Sequence, residues 1–427
     1  MVNRTLTRQH WLKLSTSSLL VILTNYSLAN IAPLNFLLPD DPNFVIQLQP
    51  GCHFQFEALN QFGVHDIKAR RDFDDPLTDK TIRETVNVLQ IWNKDQSGLD
   101  MLRGFSADTP IGELAAKLNS ANDDGVRGHM LPTAQLHGDA FSGRARYQLL
   151  PSLTFNVSVP FYRFKLSDVQ WQDLTLTQTM SDLMTKEYLT DQFTENVLEL
   201  SHGLDIKNGW SQIGIGDVMA ELRWDGNFPQ PARPILKNVW LSVRSGLTFP
   251  TGLRKNENQL FSLPFGNDGS LGLTLGGGID LTWAKVFHGN LNVDFLELFG
   301  TTRARRFKTN LDQTDLVFLA YEKARLKPGF TQRFNLGVSA QIYQGWSLAV
   351  AYEHLKHHAD TLSLYNNLYS SEIANTAASL QGWSTHDIIA RLNYTGRANF
   401  NLFYKHPFNG RHTLLTNVAG IEFSVDF

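Results

Sequence analysis

The chain closes on Val418-Ala-Gly-Ile-Glu-Phe-Ser-Val-Asp-Phe427, and this stretch decides how the rest is read. Ile421, Phe423, Val425 and Phe427 alternate with Gly420, Glu422, Ser424 and Asp426. Side chains of a strand point to opposite faces with a period of two. One face is therefore large and apolar, the other small or charged. A half-buried edge strand of a soluble sheet gives this alternation. So does a wall with lipid on one side and a polar interior on the other. The remaining chain separates the two.

Working back from the end, alternation bounded by turn residues marks about twelve strands. They fall at 53–61, 134–149, 153–164, 213–224, 238–249, 271–283, 291–305, 331–343, 346–354, 386–394, 399–406 and from 418 onward. The links alternate in length. Long ones follow the first, third, fifth, seventh and ninth strands, and short ones follow the even strands. Only the last outer link, 407–412, departs from this. Up-and-down barrels show the same parity, with short periplasmic turns and long outer loops. Backbone groups in lipid must all be paired, which forces the sheet to close. The expected fold class is all-β: an antiparallel up-and-down transmembrane β-barrel whose long outer loops carry short helices.

Asp108-Thr109-Pro110 has the form of a helix start. Met180, Leu183, Met184 and Tyr188 have helical spacing, and a short helix is expected near 372–380. Residues 85–92 are a candidate for one further strand. A parity slip at Phe295-Leu296 reads as a bulge. Trp224, Trp240, Trp283 and Trp346 fall at the short-turn ends, and Trp171, Trp210 and Trp383 at the long-loop ends. That distribution fits aromatic belts at two membrane interfaces, although Trp240 has interior parity.

The 427 residues are 42% apolar and 11% aromatic. After the N-terminus no run of 18 apolar residues suggests a transmembrane helix. Arg4, Arg8 and Lys13, an apolar core and Ser27-Leu28-Ala29 read as a signal peptide over 1–29. Residues 30–52, with Pro33, Pro39 and Pro42, read as a periplasmic tail or plug segment. The barrel takes 53–427, with a long outer-loop insertion at 62–132. Cys52 is the only cysteine, which excludes an internal disulfide. Loss of the basic leader leaves a mildly acidic chain, so no nucleic-acid partner is expected.

No catalytic constellation stands out, and neither an enzyme nor a cofactor is expected. His354, His357 and His358 lie beside Glu353, but His354 and His358 would sit about 13 Å apart along a strand, so no metal site is assigned. Gly272, Gly276, Gly277 and Gly278 interrupt neither the alternation nor the strand, and mark close packing or a kink. The charges with interior parity are of both signs. Arg144, Arg146, Asp217, Glu221, Arg223, Arg244, Asp280, Arg333, Glu353, Arg391 and Glu422 are the lumen-lining candidates, with Glu57, Asp294, Asp387 and Lys405 beside them. Buried charges must be paired to be tolerated. The interior is therefore expected to be salt-bridged and nearly closed. Arg223 is expected to pair with an acid on a neighbouring strand, and Asp217 and Glu221 with Arg244 or another arginine.

Three stretches carry a resemblance: 144–164, Gly214-Ile-Gly-Asp217 with Glu221-Leu-Arg-Trp224, and Leu247-Thr-Phe-Pro-Thr-Gly252. In that order they resemble the outer-membrane domain-of-unknown-function 3187 family. The G-x-G-D and P-T-G elements are also similar to those of the phenol-degradation meta-pathway barrels and, more distantly, of long-chain fatty-acid transporter-like barrels. The last strand resembles that of bacterial outer-membrane barrels, where a terminal Phe is an assembly signal. The resemblance implies residence in the outer membrane, contact with its lipid, and reading of Phe427 by the barrel-assembly machinery. The first family has no established activity, and the wider group implies passive uptake of hydrophobic small molecules. The expected function is a passive channel or transporter for small solutes, hydrophobic ones included. The alternative is a non-transporting structural or surface-interaction barrel acting through its extracellular loops.

Overall fold

The computed structural model describes residues 53–63, 66–75, 80–122, 124–284, 286–396 and 398–427. The signal peptide expected at 1–29, the segment 30–52 and Cys52 lie outside the described residues.

Twelve antiparallel strands form a closed ring in chain order. They are β1 Phe54–Gly63, β2 His129–Leu150, β3 Leu153–Asp173, β4 Val218–Pro229, β5 Leu236–Phe249, β6 Gly272–Trp283, β7 Phe287–Leu298, β8 Thr331–Tyr343, β9 Trp346–His357, β10 Trp383–Tyr394, β11 Ala398–Arg411 and β12 Val418–Asp426. The closing stretch seals the ring: β12 pairs with β1, Phe56 opposite Val425 and Glu57 opposite Ser424. Ile421 and Phe423 face outward and are exposed, while Gly420, Glu422 and Ser424 face inward and are buried. The other strands repeat this. Phe155, Leu222, Val243, Leu275, Leu348 and Leu402 form an apolar outer surface, the surface that lipid requires.

Some strand limits differ from the sequence expectation. β2 and β3 run 22 and 21 residues. β7 begins at Phe287 and not at 291, and the amide of Val286 donates to the carbonyl of Trp283 at 3.1 Å just before it. No bulge is needed at Phe295-Leu296, because β7 pairs with β6 in one unbroken register from Phe287 to Leu298. Leu296 and Leu298 keep the inward parity of Asn290, Asn292 and Asp294. The apparent slip is a change of polarity along one face.

The outer loops fold into a cap. Thr301–Arg306 left the expected seventh strand and joins Tyr321–Lys327 and Thr361–Leu364 in a three-stranded sheet. Lys80–Val86 pairs with Lys68–Asp75, beside Thr413–Leu415, so 85–92 adds nothing to the barrel wall. The helix expected after Asp108 spans Pro110–Lys117, with the Thr109 side chain accepting from the amide of Gly112. Met180–Thr185 starts on a Thr179/Asp182 capping box. Leu89, Leu99, Leu136, Leu189 and Phe265 are fully buried in the cap core, each stabilising it by roughly 1.5–3 kcal/mol. Trp171 and Trp210 belong to this core and not to a membrane belt: their indoles donate to the carbonyls of Ile206 and Leu260, both at 2.8 Å. Trp383 is likewise buried, stacked on His357. A tryptophan at a loop end looks the same in sequence whether lipid or a folded loop covers it.

Candidate functional site: a charged ring beneath an apolar vestibule

The interior divides into two levels. In the periplasmic part, charged side chains meet around the ring. Arg144 and Arg146 of β2 both reach Glu57 of β1 at 3.2 Å. Glu422 of β12 accepts from Asn401 at 3.0 Å and lies in the field of Arg391. Arg391 sits 5.5 Å over the Phe403 ring. Lys405 of β11 is clamped between Glu353 and Asp387, the latter at 3.3 Å. Asp294 of β7 is held by Arg244 at 2.7 Å and Arg333 at 2.8 Å. Arg244, Gly276, Asp294 and Arg333 stand in one row across β5 to β8. A Cβ on Gly276 would fall 2.1 Å from the Asp294 carboxylate, so the missing side chain opens the space through which Arg244 and Asp294 meet. This is the close packing that the glycines of β6 mark. Glu353, Lys405 and Glu422 are each about 1% exposed, so side chains fill this level.

The pairing expected for β4 is corrected. Arg223 stands directly opposite Arg244, and like charges repel. It binds Asp225 on its own strand, at 2.9 Å, which also accepts from the indole of Trp240 at 3.1 Å. Asp280 of β6 lies in the field of Arg223 and Arg244. Glu221 accepts from Asn156 at 3.0 Å. Asp217 does not take the expected arginine. It accepts from two backbone amides, Gly252 at 2.9 Å and Asn267 at 2.5 Å. Gly266, at φ +146, lets the chain pass where a Cβ would fall 2.4 Å from the Asp217 carboxyl carbon. The Thr251 hydroxyl donates to the carbonyl of Gly216 and accepts from the amide of Val218, both at 2.9 Å. The G-I-G-D and P-T-G elements thus meet, and their junction pins the loop that follows β5.

Above the ring the inward face becomes apolar. Tyr162, Phe164 and Leu166 of β3, Leu136 of β2, Leu296 and Leu298 of β7, and Leu355 of β9 are buried there. Phe265 of the pinned loop packs on Tyr162 at 5.7 Å and Phe164 at 5.6 Å. Here the wall is incomplete. Trp210–Ile215 pairs with the upper part of β3 and is a sheet edge, while β4 pairs with the lower part. The loop between β5 and β6 fills the gap, with Leu253 against Gly214.

A cavity of about 100 Å³ opens within the cap, between apolar Trp92, Phe261, Phe307 and Phe318 and polar Glu257 and Arg306. Arg306 staples the surrounding loops through carbonyls of Glu257 at 2.7 Å, Ser201 at 3.1 Å and Leu319 at 3.2 Å. Arg303 and Arg305 bind Asp268 at 2.6 and 2.7 Å. Burial pushes the Asp268 carboxyl up, but these two guanidiniums outweigh it and hold it below the ordinary range. Burial raises Asp315, only partly opposed by Lys308. Asp225, Phe265, Asp268, Arg305 and Arg306 were missed as site residues. Asp225 continues the parity of Arg223 and could have been found. Arg305 closed the expected strand 291–305 without being singled out, and Phe265, Asp268 and Arg306 lie outside every expected strand. The three histidines do not converge: His354 stacks on His386, while His357 binds Asp360 at 2.8 Å.

No protein-family model matches the sequence, and no curated protein matches it. Solved structures do. The COG4313 outer membrane channel from Pseudomonas putida F1 superposes with a TM-score of 0.50 at 11% identity, over 91% of this chain and 100% of that one. The Pseudomonas putida toluene transporter TodX gives a TM-score of 0.32 at 11% identity, over 93% and 96% of the two chains. The first match shows a shared fold, the closed antiparallel β-barrel.

Proposed function

We propose that this protein is a bacterial outer-membrane channel for small apolar solutes, taken up through the cap. The observation that carries this is the inversion of polarity along the interior. An apolar vestibule continuous with the cap core ends on a ring of buried ion pairs. An apolar molecule is favoured in the vestibule and disfavoured among desolvated charges. Its low-cost way out is sideways, through the gap that only the pinned loop closes. The cap cavity, about 100 Å³, is limited to small solutes, and its apolar side is formed by Trp92, Phe261, Phe307 and Phe318. This reading involves no catalysis. We further propose kinship with the domain-of-unknown-function 3187 family, supported by the junction motifs, and recognition by the barrel-assembly machinery, supported by Phe427.

The test is uptake of labelled toluene by intact cells that lack other channels. Cells making the wild type should accumulate it faster than cells without the protein. Cysteines replacing Gly214 and Leu253, oxidised to tie the loop to the wall, should stop the gain, and reduction should restore it. Equal uptake with and without the protein would overturn the reading, and uptake untouched by the lock would overturn the sideways route.

A further inference from the structure

The lipid-facing side of β8 to β11 carries a feature that solute transport does not use. It is a shallow groove of about 300 Å³. Its floor is the backbone of Gly337 and Ala351, and Val350, Ile388, Phe408 and Tyr352 rise around it. Its lining is almost wholly apolar. The strands place its deep end near mid-membrane and its upper end at the outer rim.

The rim above the groove is polar and cationic. The Tyr352 hydroxyl lies 2.7 Å from His386 Nδ1, and His386 stacks on His354 at 4.4 Å. Lys356 is in the field of His354, and Arg83 in that of His386. Arg83 donates to Asn409 at 3.0 Å, and Arg70 donates to the carbonyl of the groove residue Phe408 at 3.1 Å. The Arg411 side chain is 62% exposed. Among the described side chains, the carboxylate paired with these cations is Asp72, 3.4 Å from Arg83 and 3.9 Å from Arg411, and it is nearly buried. Lys356, Arg70, Arg83 and Arg411 thus leave an excess of positive charge directly above an apolar slot.

We propose that this face binds one phosphorylated glycolipid of the outer leaflet, an acyl chain in the groove and a phosphate on the arginine-lysine rim. In the membrane an acyl chain is what an apolar slot on this wall meets. The rim selects the headgroup, because guanidinium groups bind phosphate through paired, charge-assisted hydrogen bonds. The depth gradient puts the two halves of the site in the order that such a lipid presents them.

The full-length barrel in detergent should be titrated by native mass spectrometry with diphosphoryl lipid A, with lipid A lacking both phosphates, and with phosphatidylethanolamine. One diphosphoryl molecule should be retained per barrel, at least tenfold more tightly than either other lipid. The triple variant Arg83→Ala, Arg411→Ala, Lys356→Ala should lose that tenfold preference. Val350→Trp, which fills the groove, should lose it as well. Equal retention of all three lipids would mean ordinary boundary lipid and overturn the proposal, as would a triple variant with wild-type selectivity. The rim side chains are peripheral to the wall, so that variant decides the matter even where Val350→Trp does not fold.

Discussion

The lower lumen and the outer vestibule are built by the same strands and held by opposite means. Below, Lys405, Arg244 and Arg333 are tied to carboxylates, and each position depends on its partner's charge. Above, Phe164, Leu166, Leu298 and Phe265 depend only on filled volume. Charge pairs are specific and unforgiving, since removing one partner strands the other. Apolar packing tolerates change in proportion to the space left. On the function proposed above, the difference would divide the roles: the ring would keep the barrel shut, and the vestibule would hold and release a guest.

The sharpest way to break this contrast is Lys405→Met. It leaves Glu353 and Asp387 buried without their cation, a loss of about 3–5 kcal/mol. The temperature at which the folded band gives way to the unfolded band on a gel should fall markedly. An unchanged temperature would mean that the ring does not hold the barrel.

A smaller effect is expected at the junction of the two regions. Asp217→Asn removes the charge from two hydrogen bonds that pin the loop after β5, worth roughly 1–2 kcal/mol. The barrel band should keep its heat resistance. Trypsin cleavage after Arg254 or Lys255 should speed up about tenfold, the rate equivalent of 1.4 kcal/mol. Unchanged cleavage would separate the loop from Asp217.

The smallest effect is on pH. Asp268, held below its ordinary value, stabilises the cap fully above its unfolded pKa near 3.9, and that contribution disappears as pH falls through its lower folded value. Asp315 has the opposite sign. Its raised carboxyl makes the folded cap lose stability as pH rises from near 3.9 through the folded value. Protease resistance of the cap should therefore increase slightly on mild acidification and drop at stronger acidity. A monotonic rise with acid would show that the Arg303–Asp268–Arg305 cluster contributes nothing.

The wall was legible because lipid outside and charge inside impose a period of two on every strand. All twelve strands could be placed that way. The cap was not, because a folded loop obeys no single period. Only the outer ends of β2 and β3, 129–133 and 165–173, were missed, for a related reason. Toward those ends the outward face loses its apolar residues, with Gln135, His137, Arg163 and Lys165 exposed, while the inward face turns apolar, so the alternation that marks a strand inverts and fades. The charged lumen residues were found by parity, but their partners were not. Parity places a side chain on a face without saying which neighbour it leans toward. Arg223 facing Arg244 depends on strand register, which the sequence pattern leaves open.

The length of β2 and β3 has a kinetic consequence. A tilted strand crosses the hydrocarbon in about 9–11 residues, yet these carry 22 and 21. Ten surplus residues, at roughly 3.3 Å each before tilt, form a mast that lifts the cap some 20–30 Å above the lipid. The first apolar surface offered to a passing molecule then lies out in the sugar layer, not at the bilayer. On the function proposed above, capture would happen from the hydrated side, and the guest would meet the outer leaflet only from within, through the gap beside the upper part of β3. On the same reading, the rate of collection would be set by the area and height of the cap above the surface.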